Sequence, residues 1–237
     1  MIILPAIDLY DGKAVRLYKG DYDQMTVYSH DPLAVARDFQ AAGAEYIHMV
    51  DLAGARDGTM PNFDVVASVA ADTSLKVEIG GGIRSEAAIR RYLDAGVSRV
   101  ILGTAAITDW DFFCAMAAKY GAHLAAGVDC RDGLVAIKGW KELSAVTCFD
   151  FCQRLQAAGV DTVICTDISK DGAMSGTNRE LYKKLSCRFK ANIIASGGVS
   201  GIEDVLALRE MGLYGAIIGK AWYTGAIDLS EAIEVAK

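Results

Sequence analysis

Short, almost uninterrupted apolar runs recur eight times along the chain: Ile2–Ile7, Tyr46–Val50, Leu75–Ile79, Arg99–Leu102, Leu124–Val128, Thr162–Cys165, Ile193–Ala195 and Gly215–Ile218. Runs this short, bounded by turn residues, read as strands, and their near-continuous hydrophobicity predicts a parallel sheet covered on both faces. The intervening segments carry helix punctuation. Asp31-Pro32 reads as an N-cap followed by proline at the first helical position. Thr177–Glu180 and Ser200–Glu203 fit the capping-box pattern, and Gly43, Gly96, Gly121, Gly159 and Gly212 sit where helices should end in a left-handed cap. Eight strand–helix alternations in 237 residues predict an α/β protein, a closed (β/α)8 TIM barrel. An open doubly wound sheet is the alternative, but it usually has fewer strands and a phosphate fingerprint on its first turn. Here the first turn reads as a long loop from Asp8 to about His30, acidic at its start. No linker or change of composition interrupts residues 1–237, so one domain is expected.

The pattern repeats at half-chain distance. Phe39–Gly43 and Leu155–Gly159 match at an offset of 116, as do Asp51 and Asp167, Gly81–Ile83 and Gly197–Val199, Gly96 and Gly212, and Ile101–Gly103 and Ile217–Gly219. Asp8 and Asp129, each closing an apolar run and each followed by Asp-Gly (11–12 and 132–133), match at 121. Two duplicated half-barrels of four strands each would place the first and fifth strands opposite one another. Asp8 and Asp129 would then face each other across the C-terminal mouth, where barrel active sites form.

Composition narrows the function. The net charge is −6 with no basic block, which argues against nucleic acid. No apolar run reaches ten residues, so no membrane span is expected, and the amino terminus does not read as a signal peptide. The six cysteines form no Cys-x-x-Cys pair and no histidine lies near one, so no metal site is expected. Reduced buried thiols in a cytoplasmic protein are the plain reading.

Glycine-rich turns follow the third and seventh runs (Gly80–Ser85 and Ser196–Ser200), and Gly103-Thr104 and Gly219-Lys220 follow the fourth and eighth. Glycine lets backbone N–H groups approach an anion closely, so Gly81, Gly82, Arg84, Gly103, Thr104, Gly176, Ser196, Gly197, Gly198 and Gly219 are candidate phosphate contacts. Tight βα loops alone would also account for the glycines, but matched pairs in both halves point to a ligand phosphorylated at both ends. Between the cradles, two carboxylates without metal ligands suit general acid/base catalysis. Paired carboxylates also serve glycosidases, but aromatic sugar platforms are lacking. Cys165-Thr166-Asp167 leaves no lysine at the sixth strand's end for a Schiff-base aldolase. Thr166 is placed to bond a sugar hydroxyl or orient a carboxylate. The turns Asp57-Gly58 and Asp171-Gly172 are as well explained by turn-making as by substrate contact. Trp140, in the loop after the fifth strand, is placed to stack on a planar ring, unless it packs over the rim.

Ala6–Leu17, Gly80–Arg84, Gly127–Asp129, Lys138–Trp140 and Ser196–Val199 closely resemble the isomerase family of histidine biosynthesis, across essentially the whole chain. That family converts phosphoribosylformimino-aminoimidazole carboxamide ribotide (ProFAR) to its ribulosyl isomer. The resemblance implies a cofactor-free, metal-free barrel with a small bisphosphate substrate; a monomer is expected. It also implies Asp8 as base, Asp129 as acid, Thr166 and Asp171 as supporting residues and Trp140 as the ring that stacks on the aminoimidazole. The two-fold pattern alone leaves acid and base unassigned. The related cyclase typically has Cys-Leu-Asp-Val where this chain has Ala6–Leu9, and it needs a glutaminase partner. Dual-substrate members that also accept phosphoribosylanthranilate are described with arginine where Lys138 stands, which favours a single substrate. A non-catalytic phosphosugar-binding barrel would not need two facing carboxylates.

Overall fold

The computed structural model describes all residues, Met1–Lys237. The strands are β1 (Ile2–Tyr10), β2 (Lys13–Tyr18), β3 (Asp21–Ser29), β4 (Tyr46–Asp51), β5 (Lys76–Gly80), β6 (Arg99–Leu102), β7 (Leu124–Arg131), β8 (Leu134–Ile137), β9 (Glu142–Thr147), β10 (Thr162–Asp167), β11 (Asn192–Ser196) and β12 (Gly215–Ile218). The helices are α1 (Pro32–Ala41), α2 (Leu52–Asp57), α3 (Phe63–Asp72), α4 (Glu86–Asp94), α5 (Thr104–Thr108), α6 (Trp110–Tyr120), α7 (Cys148–Ala157), α8 (Arg179–Arg188), α9 (Ile202–Glu210), α10 (Lys220–Tyr223) and α11 (Leu229–Ala236). The eight apolar runs become β1, β4, β5, β6, β7, β10, β11 and β12. Each pairs in parallel with the next, and β12 pairs with β1 to close a (β/α)8 barrel. Seven residues, among them Leu4, Ile101, Ile164 and Ile217, fill the barrel interior. A larger apolar layer lies between strands and helices.

The stretch from Asp8 to His30 is not a loop. β2 and β3 form an antiparallel hairpin on β1, and β8 and β9 form another on β7. The Asp-Gly pairs are the two-residue turns that start them. Asp11 and Gly12 have φ of 48° and 71°, and Asp132 and Gly133 of 54° and 80°. Positive φ at both central residues suits the twist of flanking strands, which is why Asp-Gly favours such hairpins. β1 and β7 therefore run past Asp8 and Asp129, which lie within the strands.

Most helix signals hold, with three shifts. Asp31 caps α1 by accepting from the Ala34 N–H, with Pro32 following. Before α8 the cap is Asn178, not Thr177, because Asn178 accepts from Leu181. Before α9, Ser200 bonds Asp204 instead, and Gly201 is the cap. Gly121 ends α6 with ψ of −124°, outside the left-handed cap geometry.

The duplication extends to side chains that brace the loops. Asp51, fully buried, accepts from Gly54 N at 2.9 Å, Asn62 N at 3.0 Å and Asn62 Nδ2 at 2.8 Å. Its counterpart Asp167 accepts from Ser169 N, Ser169 Oγ and Asn178 Nδ2. Gln40 and Gln156 each receive an N–H at 2.7 Å, from Ser74 and Lys190. A buried carboxylate is tolerated only when its oxygens are bonded. Asn62→Ala removes a donor to Asp51 and is expected to lower unfolding free energy by about 2–3 kcal/mol. Urea denaturation measures this, and an unchanged midpoint would contradict the bracing role.

Candidate active site

The C-terminal mouth opens into one cavity whose wall includes Asp8, Asp129, Thr166, Asp171 and Trp140. It also includes Gly81, Gly82, Arg84, Gly103 and Thr104 on one side and Ser196, Gly197, Gly198 and Gly219 on the other. Gly176 does not line it. It stands behind the second cradle, where a Cβ on Gly198 would come within 2.5 Å of the Gly176 carbonyl. Gly81 and Gly197 have left-handed φ of 107° and 91° and pack directly on the backbones of Asp51 and Asp167, leaving no space for a side chain. Gly103 and Gly219 share an unusual backbone, with φ/ψ of −98°/−96° and −108°/−104°. Each precedes a short helix, α5 or α10, whose first N–H groups lack intrahelical partners. Two matched sets of backbone donors thus flank the carboxylates.

The halves differ in what surrounds each carboxylate. Arg16, on β2, places Nη1 2.7 Å from Asp8 Oδ2. Its guanidinium also lies 5.8 Å from the ring centre of Tyr223, and it fills the space beside Gly219 that a side chain there would need. Burial works against its charge, but Asp8, Tyr223 and Asp171 overcome that and hold the guanidinium ionised. Its buried Nε has no partner within the protein and lies in the wall beside the second cradle. Asp129 has no cation in contact. The Trp140 indole N–H donates to Asp129 Oδ2 at 2.7 Å, and Thr166 is its partner residue on β10. Burial pushes the Asp129 carboxyl above the ordinary carboxylate range, while the indole and the Thr166 hydroxyl partly offset this. Asp171 is pushed up to about 6, first by burial and then by Asp8 and Asp129, against the pull of Arg16 and His48.

Trp140 is not free to stack in this state. It packs edge-on against Gly20, at the tip of the β2–β3 hairpin, where an added Cβ would lie 2.5 Å from its ring. Lys138, Gly139 and Trp140 have φ of 56°, 65° and 68°, a run of left-handed residues costly for the two that are not glycine. The Lys138 N–H donates to Thr104 Oγ1 at 3.1 Å, tying this hairpin to the first cradle.

Arg16, Gly20 and His48 are wall residues that the sequence reading passed over. His48 Nδ1 lies 2.6 Å from Glu78, which also binds Arg99 at 2.6 Å. Burial raises the Glu78 pKa, but His48 and Arg99 outweigh it and hold the group below its ordinary value. Alternation of apolar and other residues around an Asp-Gly turn was the available signal for Arg16; a single histidine within an apolar strand offered none for His48. Three cysteines distant in sequence, Cys130, Cys148 and Cys165, meet, with sulfurs within 4.8 Å of one another, behind the wall.

A closed barrel with two glycine-rich turns flanking paired carboxylates at its mouth defines the class: a duplicated (β/α)8 barrel. A family model described as histidine biosynthesis protein matches residues 2–228, and the chain belongs to that family. It is 51% identical, over all 237 residues and the whole of both chains, to a protein of Brachyspira hyodysenteriae. Proteins of Listeria monocytogenes (48% over 235 residues, 99% and 98% of the two chains) and Clostridium botulinum (47% over 235 residues, 99% and 97%) are similar. All three are named 1-(5-phosphoribosyl)-5-((5-phosphoribosylamino)methylideneamino) imidazole-4-carboxamide isomerase.

Asp171 generates a pH prediction. Its carboxyl holds a proton more tightly in the folded chain (about 6) than at its ordinary 3.8. Stability from this group is therefore complete below about pH 4 and is lost as pH rises through 6. Asp171→Asn is expected to raise the melting temperature at pH 7 and to match wild type near pH 4. A gain that is the same at both pH values would contradict the assignment.

Proposed function

We infer that the chain is an aldose–ketose isomerase of histidine biosynthesis, catalysing the Amadori rearrangement of ProFAR to its phosphoribulosyl isomer with residues 1–237 as one barrel domain. The observation that carries the division of labour is the difference between the two carboxylates' partners: a guanidinium at Asp8, neutral donors at Asp129. A carboxylate next to a fixed cation suits a base, and a carboxyl raised by burial suits an acid. Asp129 protonates the furanose ring oxygen, and the C1–O bond breaks as the glycosylamine nitrogen forms a Schiff base. Asp8 then takes the proton from C2, and those electrons neutralise the iminium to give an enolamine. Protonation at C1 and loss of the C2 hydroxyl proton yield the ketose amine, with no net change in atoms or electrons. The two glycine cradles, with Arg84 at the first and Arg16 beside the second, support a substrate phosphorylated at both ends. Thr166 supports Asp129, and Asp171 assists from the same cavity.

The chain is proposed to act as a monomer. No helix is long and apolar enough to cross a membrane, and a cytoplasmic location fits a small-molecule biosynthetic step. The relatives above are named for the imidazole-carboxamide isomerisation alone, so a second activity on phosphoribosylanthranilate has no support from them.

The test is turnover of ProFAR by the purified chain, with phosphoribosylanthranilate in parallel. ProFAR alone should react, and Asp8→Asn should lose about 10²–10⁴-fold in kcat/KM. Failure of ProFAR to react without a glutaminase and ammonia would overturn the reading in favour of the cyclase. Trp140→Phe removes a donor that favours ionised Asp129, so the alkaline limb of the kcat/KM profile should move to higher pH. A limb that stays in place or moves lower would count against Asp129 as the acid.

A further inference from the structure

Behind Asp129 and Thr166 lies a group that the catalytic reading does not use. Successive strand residues face opposite sides, so with Asp129 and Thr166 at the cavity, Cys130 on β7 and Cys165 on β10 turn outward into the layer under the helices. There they meet Cys148, the first residue of α7. The three are buried, at 3%, 0% and 0% exposure. Their sulfurs all lie within 4.8 Å of one another, and Cys148 and Cys165 Sγ are 3.8 Å apart. None is in a disulfide.

Three sulfurs each about 2.3 Å from a shared atom at the apex of a shallow pyramid would sit about 3.5 Å apart. The Cys148–Cys165 pair, at 3.8 Å, is near that spacing, and the third sulfur, within 4.8 Å of both, is brought to it by a side-chain shift. No imidazole or carboxylate joins the group, so the fourth ligand of a structural zinc site is missing. A dry site also selects by charge. Three thiolates on a monovalent or divalent ion leave net negative charge buried, which is costly without a counter-charge. Three thiolates on a trivalent centre leave none.

We propose that Cys130, Cys148 and Cys165 form a binding site for a neutral trivalent hydroxide of the arsenous acid class, taken up as a trithiolate. Three As–O and three S–H bonds break, three As–S bonds form, and each thiol proton leaves with a hydroxide as water. Arsenic stays trivalent, so no oxidant or reductant is needed. Burial and mutual hydrogen bonding keep Cys130 and Cys165 as thiols, the form this condensation uses. The β8–β9 hairpin borders the cluster, since Val135 pairs with Cys130 and Thr147, next to Cys148, pairs with Leu134. Two of the three ligands are chain neighbours of Asp129 and Thr166, so loading also slows isomerisation. That last clause rests on the catalytic reading above.

The experiment incubates the folded, full-length enzyme with sodium arsenite and reads intact mass under non-denaturing conditions, with turnover in parallel. One arsenic per chain, with loss of three hydrogens, is expected. Loading should be lost in Cys148→Ser and in Cys148→Ala and kept in Cys187→Ser, whose exposed thiol lies elsewhere. No uptake by the native enzyme, or uptake that survives both Cys148 variants, overturns the site. Stoichiometric uptake with unchanged turnover overturns its coupling to the active site and leaves the binding site standing. Absence of activity before arsenite is added would instead be a failure of the catalytic reading.

Discussion

Three carboxylates, Asp8, Asp129 and Asp171, share one half-buried cavity with one guanidinium in contact, that of Arg16. Like charges in such a place cannot all be ionised cheaply, so what surrounds each carboxyl matters. Arg16 bonds Asp8, is backed by the Tyr223 ring and occupies space that only a glycine at 219 leaves open. The β2–β3 hairpin exists in part to hold that residue, and the second cradle is shaped around it. Asp129, out of contact with the cation, is held above the ordinary carboxylate range by burial, which the bond from the indole only partly offsets. A duplicated scaffold places two equivalent carboxylates; unequal surroundings make them chemically different.

The surroundings differ because the halves diverged at particular positions. Val50 pairs with Asp8 on the first side, and Thr166 with Asp129 on the second. His48 and Glu78 make a 2.6 Å polar contact in the first half where Ile164 and Ile194 fill the barrel in the second. What remains matched is scaffold: the Asp51–Asn62 and Asp167–Asn178 clasps, the packed glycines at 81 and 197, and the backbone at 103 and 219. These hold the two glycine turns in equivalent positions on either side of the carboxylates.

Much of this was legible in the residues. Uninterrupted apolar runs marked the eight barrel strands because parallel strands are covered on both faces. The 116-residue offset marked the duplication, and Asp8, Asp129 and the glycine turns marked the mouth. Less legible was whatever depends on contacts between distant segments. In the sequence the hairpins look like loops, since β3 is mostly exposed and lacks an apolar stripe, although Asp-Gly between strand-like flanks signals them. With the first hairpin went Arg16 and Gly20. Trp140 was recognised as a loop aromatic, but its bond to Asp129 depends on a left-handed backbone that no local pattern announces. The cysteine cluster escaped for the same reason: its members are 17 and 18 residues apart and meet only because β7 pairs with β10 under α7.

The central claim is that Asp129 opens the ring and Asp8 then removes the C2 proton, and the two steps can be separated. Ring opening and reclosure scramble the anomeric configuration at C1, which proton NMR of ProFAR detects without any ketose forming. Asp8→Asn should still scramble the anomers faster than the uncatalysed reaction while forming ketose at least about 10²-fold more slowly than wild type, and Asp129→Asn should do neither at a useful rate. Scrambling that survives in Asp129→Asn and vanishes in Asp8→Asn would reverse the roles and contradict the account.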